Sequence, residues 1–481
     1  MIPARLEPLL SADGVPMALA RLFAEGGREL YLVGGSVRDA LLGRRRGDEE
    51  HDFATDARPT EVRRLVAAWA DDLYTVGETF GTIGLIKDGV RAEITTFRAE
   101  VYRDDSRKPI VQFADDLETD LSRRDFTVNA TALRLVPGPE IIDPFGGLAD
   151  LGTGLLRTPL DPAVAFADDP LRMLRLYRFV SVLGFRADGA AVAAVEAMRE
   201  RLAIVSAERI RDELDKLLVG ERAEEGLWGL VESGLAGEFL PEIATLRLEQ
   251  DPIHQHKDVL AHTIAVVGRC PSDRILRLAA LFHDVGKPGT RSFGPDGVAF
   301  HHHEVVGARI TRARMRELRY ARADIEEVSG LVYLHLRPHT LKMGWTDRAV
   351  RRYVRDAGPL LERLNTLVRC DVTTRDPKKA RAVERRIDEL EERIAALREQ
   401  EELDAIRPPI DGHAVMAFLG IPPGPLVGEV MELLLEHRLD EGPYSEEEAF
   451  GLVRDWAEGR GMATPPPGGA GRGLGGGQTR D

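Results

Sequence analysis

Two cysteines, Cys270 and Cys370, are all that this 481-residue chain contains. No disulfide framework can be built from them, so a reduced, cytoplasmic setting is expected. Nowhere does an apolar run approach the roughly 20 residues needed to cross a bilayer, which excludes a membrane-spanning helix. The first residues, MIPARLEPLLSADG, lack the basic stretch and apolar core of an export signal. Aromatic residues are scarce, 6% against 43% hydrophobic residues overall, a balance that suits a helix-rich protein with aliphatic cores. Positive charge is short as well. A formal net charge of −15 argues against a protein coated in nucleic acid, although it leaves a local basic patch open.

What is present is unevenly spread. The length suggests about three domains. Arginine is dense in ITRARMRELRYARAD (310–324) and DRAVRRYVRDAG (347–358), and nine of the twelve histidines fall between His254 and His339. Residues 1–25 read as a helix, ELYLVGG as a short strand stopped by a glycine pair, and SVRDALLG as a helix with Ser36 as its N-cap. Period-2 segments between 50 and 135 (HDFAT, GTIGLIKDG, VRAEITTF, TALRLV) predict a small sheet with flanking helices. Beyond a proline-marked junction at 156–170 the pattern is helical to about residue 458. Within it, 376–404 is a long charged helix, either an exposed spacer or an interhelical arm. The end of the chain is Gly/Pro-rich and reads as a disordered tail.

The strand, the Gly34-Gly35 turn and the following helix let backbone N–H groups approach a phosphate at a positive helix end. Arg38, one turn on, offers a further phosphate partner. Glu50 and Asp52 sit two apart, so on a strand their carboxylates share one face while Phe53 points into a core. Two carboxylates beside a phosphate-binding turn suit Mg²⁺. Glu93, in VRAEITTFR, is the candidate third acid from a neighbouring strand. Arg44–Arg46 and Glu49 read as a solvated connection, and Asp56 as the cap of the next turn before Pro59. Further on, DLSRRDFTVNATAL gathers Arg123, Arg124, Asp125 and Asn129 around Phe126. In DDPLRMLRLYRFV, Asp168 and Asp169 precede an arginine stripe, Arg172, Arg175 and Arg178, at spacing three.

LVGGSVRDALLG, HDFATDARPTEV, EITTFR, DLSRRDFTVNATAL, DPFGGLADL and DDPLRMLRLYRFVSVLGF occur in the order and spacing of one family. The chain resembles the class II tRNA nucleotidyltransferases, the CCA-adding enzymes, with the bacterial poly(A) polymerases as close relatives. The match covers about residues 28–215 and continues more faintly to about 455. The resemblance implies an α+β protein with a polymerase-β-like nucleotidyltransferase head over 1–155 and a helical neck with a nucleobase template over 156–245. An HD-type helical body would follow over 246–375, then a helical region touching tRNA over 376–460 and a disordered tail over 461–481. Carried over by position, Gly34, Gly35 and Arg38 would hold the triphosphate, and Glu50 and Asp52 would bind Mg²⁺. Arg123 or Arg124 would contact the nucleotide. Asp169 and Arg172 would select CTP and ATP through hydrogen bonds to the base, with Arg175 and Arg178 along the same pocket. Residues 208–218 would form the supporting neck helix. Two departures stand out. The first metal carboxylate is Glu50 instead of aspartate, with Asp48 on the same face, and the template's first acid is Asp168 instead of glutamate.

In the histidine-rich stretch, His262, the doublet His283–Asp284 and Asp371 reproduce the H…HD…D order of the HD metal-dependent phosphohydrolases. Imidazole with carboxylate suits a divalent transition metal better than Mg²⁺ alone. His303 and His339 are further candidate ligands or phosphate contacts, Lys287 a candidate phosphate contact, and His301 and His302 look to face away. The expected function is therefore addition of CCA to tRNA 3′ ends from CTP and ATP with two Mg²⁺ ions, with an HD phosphohydrolase activity besides. The arginine-rich stretches after 309 would meet the tRNA backbone. The alternatives are a poly(A) polymerase or a partial CC- or A-adding enzyme, and an HD phosphohydrolase whose head only binds nucleotide.

Overall fold

The computed structural model describes residues 2–44, 50–74, 81–101, 110–114, 116–248, 258–294, 297–340, 346–372, 376–401 and 406–464. Asp48, Arg45, Arg46 and Glu49 lie outside them, as do residues 465–481 of the expected tail. The chain divides into two compact units, Met1–Val332 and Tyr333–Asp481. Among the described residues no helix is long and apolar enough to cross a membrane.

The first unit holds strands β1 (Leu30–Val33), β2 (Glu50–Thr55), β3 (Asp72–Tyr74), β4 (Thr82–Lys87), β5 (Val90–Thr96), β6 (Arg98–Val101), β7 (Ile110–Phe113), β8 (Ala132–Val136) and β9 (Glu140–Ile142). Seven form one sheet in the order β3-β4-β5-β2-β1-β8-β9, and β6 pairs with β7 apart from it. Helices α1 (Val15–Glu25), α2 (Gly35–Leu42), α3 (Pro59–Val66), α4 (Leu117–Ser122) and α5 (Gly147–Thr153) accompany the sheet. The unit continues through α6 (Pro162–Asp168), α7 (Leu171–Leu183), α8 (Gly189–Met198), α9 (Ala207–Leu218) and α10 (Ala223–Glu232). Two single turns, α11 (Ala236–Phe239) and α12 (Pro241–Ala244), lead to α13 (Val259–Arg269), α14 (Arg274–Phe282), α15 (Lys287–Thr290), α16 (His303–Glu317) and α17 (Arg322–Leu334). The α+β architecture expected from the sequence is the one observed.

Period-2 burial decides which face of the sheet does what. Leu32, Phe53, Ile83, Leu85 and Ile94 point one way and pack with residues of α1 and α3 such as Phe23 and Val62. Tyr31, Val33, Ala54 and Ala132 point the other way and meet Phe97 and the α4 residues Leu117 and Leu121. Glu50 and Asp52 belong to this second face, where the apolar cover gives way to carboxylates.

Several local expectations change. The helix expected over 1–25 is a 3-10 turn, Ala4–Leu10, and α1, separated at Ser11–Gly14, where Gly14 is extended and caps α1. Ser36 does not cap α2; Gly34 holds that position, and the Ser36 hydroxyl donates to the Glu50 carbonyl at 3.1 Å. Asp56 caps nothing ahead of Pro59. It accepts from the Glu29 amide at 2.8 Å and pairs with Arg28, while Glu61 supplies the cap by accepting from the Arg58 amide at 3.0 Å. Arg44 is not a free solvated residue, since it donates to the Val182 and Leu183 carbonyls at the end of α7. Asp168 ends α6 instead of opening the arginine-bearing helix α7.

In the second unit α18 (Asp347–Ala357), α19 (Leu361–Cys370), α20 (Pro377–Gln400), α21 (Gly412–Leu419), α22 (Pro425–Glu441) and α23 (Glu446–Glu458) follow one another. The charged helix α20 is an interhelical arm: Ile387, Leu390, Ile394 and Leu397 are buried along one side at spacings of three and four. Glu401, just past its end, is buried between Arg351 and Arg438, which bond to it at 3.1 and 2.5 Å.

Gly84 opens space for the Tyr74 ring, one atom of which lies 2.0 Å from where a Cβ would sit. Gly84→Ala is expected to displace that ring and cost about 1–3 kcal/mol through overpacking, measured as a lower denaturant midpoint.

Candidate functional site

One line of residues crosses the sheet. Tyr74 pairs with Gly84, Gly84 with Glu93, Glu93 with Asp52, Asp52 with Val33, and Val33 with Ala132. Directly paired residues share a face, so Asp52 and Glu93 stand side by side, and Glu50 joins them two residues along β2. Glu93 is half-buried, and its carboxyl is raised above the ordinary range by burial first, then by the charges of Asp52 and Glu50. Together the three acids offer oxygen donors alone, the chemistry that suits a hard divalent cation. The residues present match such an ion in donor type, carboxylates on one face of adjacent strands.

The turn after β1 comes up against this row. Gly34 has φ +69° and ψ −134°, open to glycine alone in practice. A Cβ there would sit 3.1 Å from Arg124 Nη1 and 3.4 Å from Asp52 Oδ2. The first N–H groups of α2, from Gly35 on, have no partner within their helix, and they open beside Asp52 and Arg124. Arg38 is buried, with bonds to Asp39 at 2.8 and 3.0 Å and to Asn129 Oδ1 at 2.6 Å. It braces the turn from within.

Arg123 and Arg124 both grip Asp120, at 3.1 and 3.3 Å. Burial works against the charge of Asp120, but the two guanidinium groups outweigh it and hold the carboxyl below its usual range. Asp125, the next acid, accepts from Asn129 at 2.8 Å and from Arg175 Nε at 2.8 Å. Here too burial is overcome, by Arg175 and Asn129, and the carboxyl is held low. The arginine stripe of α7 is therefore not solvated. Arg172 donates to the Ala165 carbonyl at 3.0 Å and to that of Arg123, Arg175 spans Asp125 and Glu213, and Arg178 pairs with Glu213. Burial pushes Arg178 down to about 10 despite Glu213. Asp169, between α6 and α7, accepts from the Leu171 amide at 3.1 Å and from Arg209 at 2.7 Å. Glu213 and Arg209, both on α9, went unnoticed in the sequence. Their i, i+4 spacing in ERIRDELDKLL was the available signal.

The histidine cluster of the first unit stands apart from this. His262 Nε2 and His283 Nε2 are 3.2 Å apart, and they lie 3.6 and 3.3 Å from Asp284 Oδ2. His303 Nε2 is 3.4 Å from Asp284 Oδ1, and Lys287 Nζ is 2.6 Å from Oδ2. The Nδ1 atoms of His283 and His303 meet the carbonyls of Ala280 and Phe300 at 2.7 and 2.9 Å. A carbonyl only accepts, so each Nδ1 carries a proton and each Nε2 faces the carboxylate, donating to it while the ring is charged and free to bind a metal when the ring is neutral. Despite its burial, Asp284 is held well below its usual range by His283 and Lys287. Convergent imidazole lone pairs around an ionised carboxylate fit a divalent metal. His301 and His302 are exposed. Asp371 caps the end of α19 in the second unit, its amide donating to the Leu367 carbonyl at 2.9 Å. The side chain of His339 lies outside the described residues.

Comparison with known proteins gives an independent account. A family model described as the poly A polymerase head domain matches residues 30–157. One described as the probable RNA and SrmB-binding site of polymerase A matches 184–246, and an HD domain model matches 259–376. An A-adding tRNA nucleotidyltransferase of Deinococcus radiodurans is 34% identical over 450 residues, covering 89% of this chain and 95% of that protein. A CCA-adding enzyme of Anoxybacillus flavithermus is 31% identical over 435 residues, 90% of this chain and 93% of its own length. Among solved structures, that of the Bacillus stearothermophilus CCA-adding enzyme in complex with CTP aligns with a TM-score of 0.70 at 25% identity. It covers 96% of this chain and 99% of its own.

The turn at Gly34 can be tested in isolation. Gly34→Ala is expected to weaken binding of a nucleoside triphosphate about 10²-fold by misplacing the turn, read by calorimetric titration, alongside a fall in thermal midpoint from backbone strain of about 1–3 kcal/mol.

Proposed function

The chain belongs to the family of tRNA nucleotidyltransferases and poly(A) polymerases, and from that premise we propose that it adds CCA to tRNA 3′ ends from CTP and ATP. The observation that carries the reading is the line across the sheet, which sets Asp52 beside Glu93 and against the Gly34 turn.

In this reading Glu50, Asp52 and Glu93 hold the catalytic ion, Mg²⁺ by the hardness of its donors. When bound, that ion neutralises charge at the α-phosphate and lowers the pKa of the attacking hydroxyl. The Gly34–Gly35 turn receives the triphosphate through backbone N–H groups at a positive helix end. Arg124, at the lip of the turn, supplies positive charge to the same phosphates, and Arg38 keeps the turn in shape. The tRNA 3′-hydroxyl then attacks the α-phosphorus in line and pyrophosphate leaves, a reaction that depends on positioning and charge complementarity. Asp169 and Arg172 face the base. Cytosine and adenine each present an exocyclic amino donor next to a ring-nitrogen acceptor on their pairing edge, whereas uracil and guanine present the reverse. A carboxylate with a guanidinium complements the first pair and leaves polar groups unpaired against the second.

The cluster of His262, His283, Asp284 and His303 supports a metal-dependent phosphohydrolase activity as a further part of the proposal. Lys287 already serves Asp284 as counter-ion. For tRNA, Arg309, Arg312 and Arg316 are exposed at spacings of three and four on α16, so they share a side and suit a phosphate backbone. Other arginines of the dense stretches are engaged within the protein, Arg314 with Glu242 and Arg351 with Glu401.

One observation favours a second reading. The Deinococcus radiodurans relative, aligned over nearly all of this chain, carries the name of an A-adding enzyme, so a partial activity on tRNA that already ends in CC is the alternative. Purified protein given tRNA ending before C74, at C74 or at C75, with CTP and ATP supplied separately and together, separates the two. CCA addition yields finished ends from all three substrates. Growth only from the CC-ended tRNA establishes the A-adding reading, and unlimited A addition a poly(A) polymerase. Asp52→Ala is expected to lower incorporation by about 10³-fold or more, since metal ligation is worth several kcal/mol, while Asp284→Ala spares it. Replacing Arg309, Arg312 and Arg316 together by alanine is expected to weaken tRNA binding. The slope of log K against log salt should fall by about 2–3, in line with the counterions no longer released.

A further inference from the structure

The line across the sheet has two ends, and an in-line reaction gives them different tasks. At one end the Gly34 turn stands against Asp52, its Cβ position 3.4 Å from Oδ2. At the other, Tyr74 pairs with Gly84, and Gly84 with Glu93. In an in-line displacement the attacking and leaving oxygens lie on opposite sides of the phosphorus. Under the function proposed above, the triphosphate and its departing pyrophosphate occupy the Gly34 end. The attacking 3′-hydroxyl, with the ribose that carries it, then approaches over Glu93, from the side of Tyr74.

Tyr74 is placed to meet that ribose. Gly84 has no side chain, and Cε2, Cζ and Cδ2 of the tyrosine ring take the space that a Cβ there would need. Adjacent strands lie about 4.8 Å apart. A ring rooted on β3 whose Cζ already stands over β4 carries its hydroxyl onward, toward Glu93 on β5. Burial first, then the charges of Glu93 and Glu50, hold the phenol above its ordinary pKa, so the proton stays in place. Among the described residues this hydroxyl makes no hydrogen bond, and Tyr74 is only partly buried. A neutral O–H both donates and accepts, which matches a ribose 2′-hydroxyl, itself donor and acceptor. Arg91, exposed and two residues before Glu93 on β5, shares this face. It gives the same end of the line a cation for the RNA backbone.

We propose that Tyr74 binds the acceptor end of the tRNA, its phenol hydrogen-bonded to the 2′-hydroxyl of the terminal ribose, and so sets the neighbouring 3′-hydroxyl against the α-phosphorus. The inference rests on the nucleotidyltransferase reading of Asp52, Glu93 and the Gly34 turn. It assigns to one side chain the choice between a ribose and a deoxyribose end. That choice is separate from selection of the incoming base.

The test is steady-state addition of AMP from ATP to tRNA ending at C75, with that last nucleotide either ordinary or 2′-deoxy. The unaltered protein is compared with Tyr74→Phe, which keeps the ring over Gly84 and removes only the hydroxyl. The unaltered protein is expected to use the deoxy end about three- to tenfold less well in kcat/KM, the worth of one hydrogen bond. Tyr74→Phe should lose the same factor on the ordinary end and nothing further on the deoxy end, with KM for ATP and the thermal midpoint nearly unchanged. Such non-additivity is the signature of a direct contact. Equal losses on both ends mark a structural role and overturn the proposal. So does the absence of any loss in Tyr74→Phe, or an unaltered protein indifferent to the 2′-hydroxyl; in these cases incorporation itself leaves the nucleotidyltransferase reading standing. If the unaltered protein extends neither end, or Asp52→Ala extends them equally well, that reading fails and the role of Tyr74 falls with it.

Discussion

A buried carboxylate, Asp125, joins the two halves of the proposed nucleotide site. On one side it accepts from Asn129, which in turn holds Arg38 beneath the Gly34 turn. On the other it takes the guanidinium of Arg175 on α7, and Arg175 reaches on to Glu213 of α9. The chain from Arg38 to Glu213 therefore links the helix that would receive the triphosphate to the helix that would read the base. Burying so many charges is costly unless each is matched, and breaking such a pair from one side costs about 3–5 kcal/mol. What the protein gains is a fixed distance and angle between the turn proposed to receive the triphosphate and the helix proposed to read the base. An enzyme without a nucleic-acid template needs that, because its only reference for choosing a nucleotide is its own side chains.

The acids of the sheet show the opposite economy. Asp125 and Asp120 are satisfied by neighbouring arginines, so they ionise easily and stabilise the fold. Glu93 is half-buried beside two other acids, and its carboxyl is raised by burial first and then by the charges of Asp52 and Glu50. The cross-strand line explains why: Glu93 is flanked by Gly84, which has no side chain to offer, and by Asp52, which repels it. Sheet architecture would be more comfortable with an arginine there.

How much of this was legible in the sequence follows from the range of each interaction. β1, β2 and β5 were readable because alternation is local, and so was the sharing of one face by Glu50 and Asp52. The Gly34–Gly35 turn was readable because only glycine tolerates its backbone. The histidine cluster was found through order along the chain, not through geometry, since adjacent His283 and Asp284 reach one point only because α14 ends there. Long-range partners were not legible. Arg44 looked solvated because the α7 carbonyls it meets are 138 residues away, and Asp56 looked like a cap because Arg28 and the Glu29 amide come from another strand's approach. The arginine stripe of α7 had the spacing of an exposed helical face. Its burial depends on Asp125 and Glu213, two acids whose own surroundings a sequence does not display.

Helix α9 carries this logic one step further, because it is held from behind as firmly as it holds α7. Arg277 of α14 is buried and directs its guanidinium at the carbonyls of Leu218 and Gly220, at 2.5 and 2.7 Å, where α9 ends. It also donates to the Cys270 carbonyl at the end of α13. Tyr320 donates to Asp215 at 2.6 Å, and Arg274 bonds the same acid and Asp324. Unsatisfied carbonyls at a helix C-terminus attract cations, and one arginine here serves two such termini. The histidine-bearing helices therefore have a mechanical role that does not depend on their own chemistry. α14 presents His283 and Asp284 just past one end and fixes α9 through Arg277 near the other. Glu213 and Arg209 then inherit their positions from that anchorage. Removing α13 and α14 would leave α9, and with it the residues proposed to read the base, without that backing.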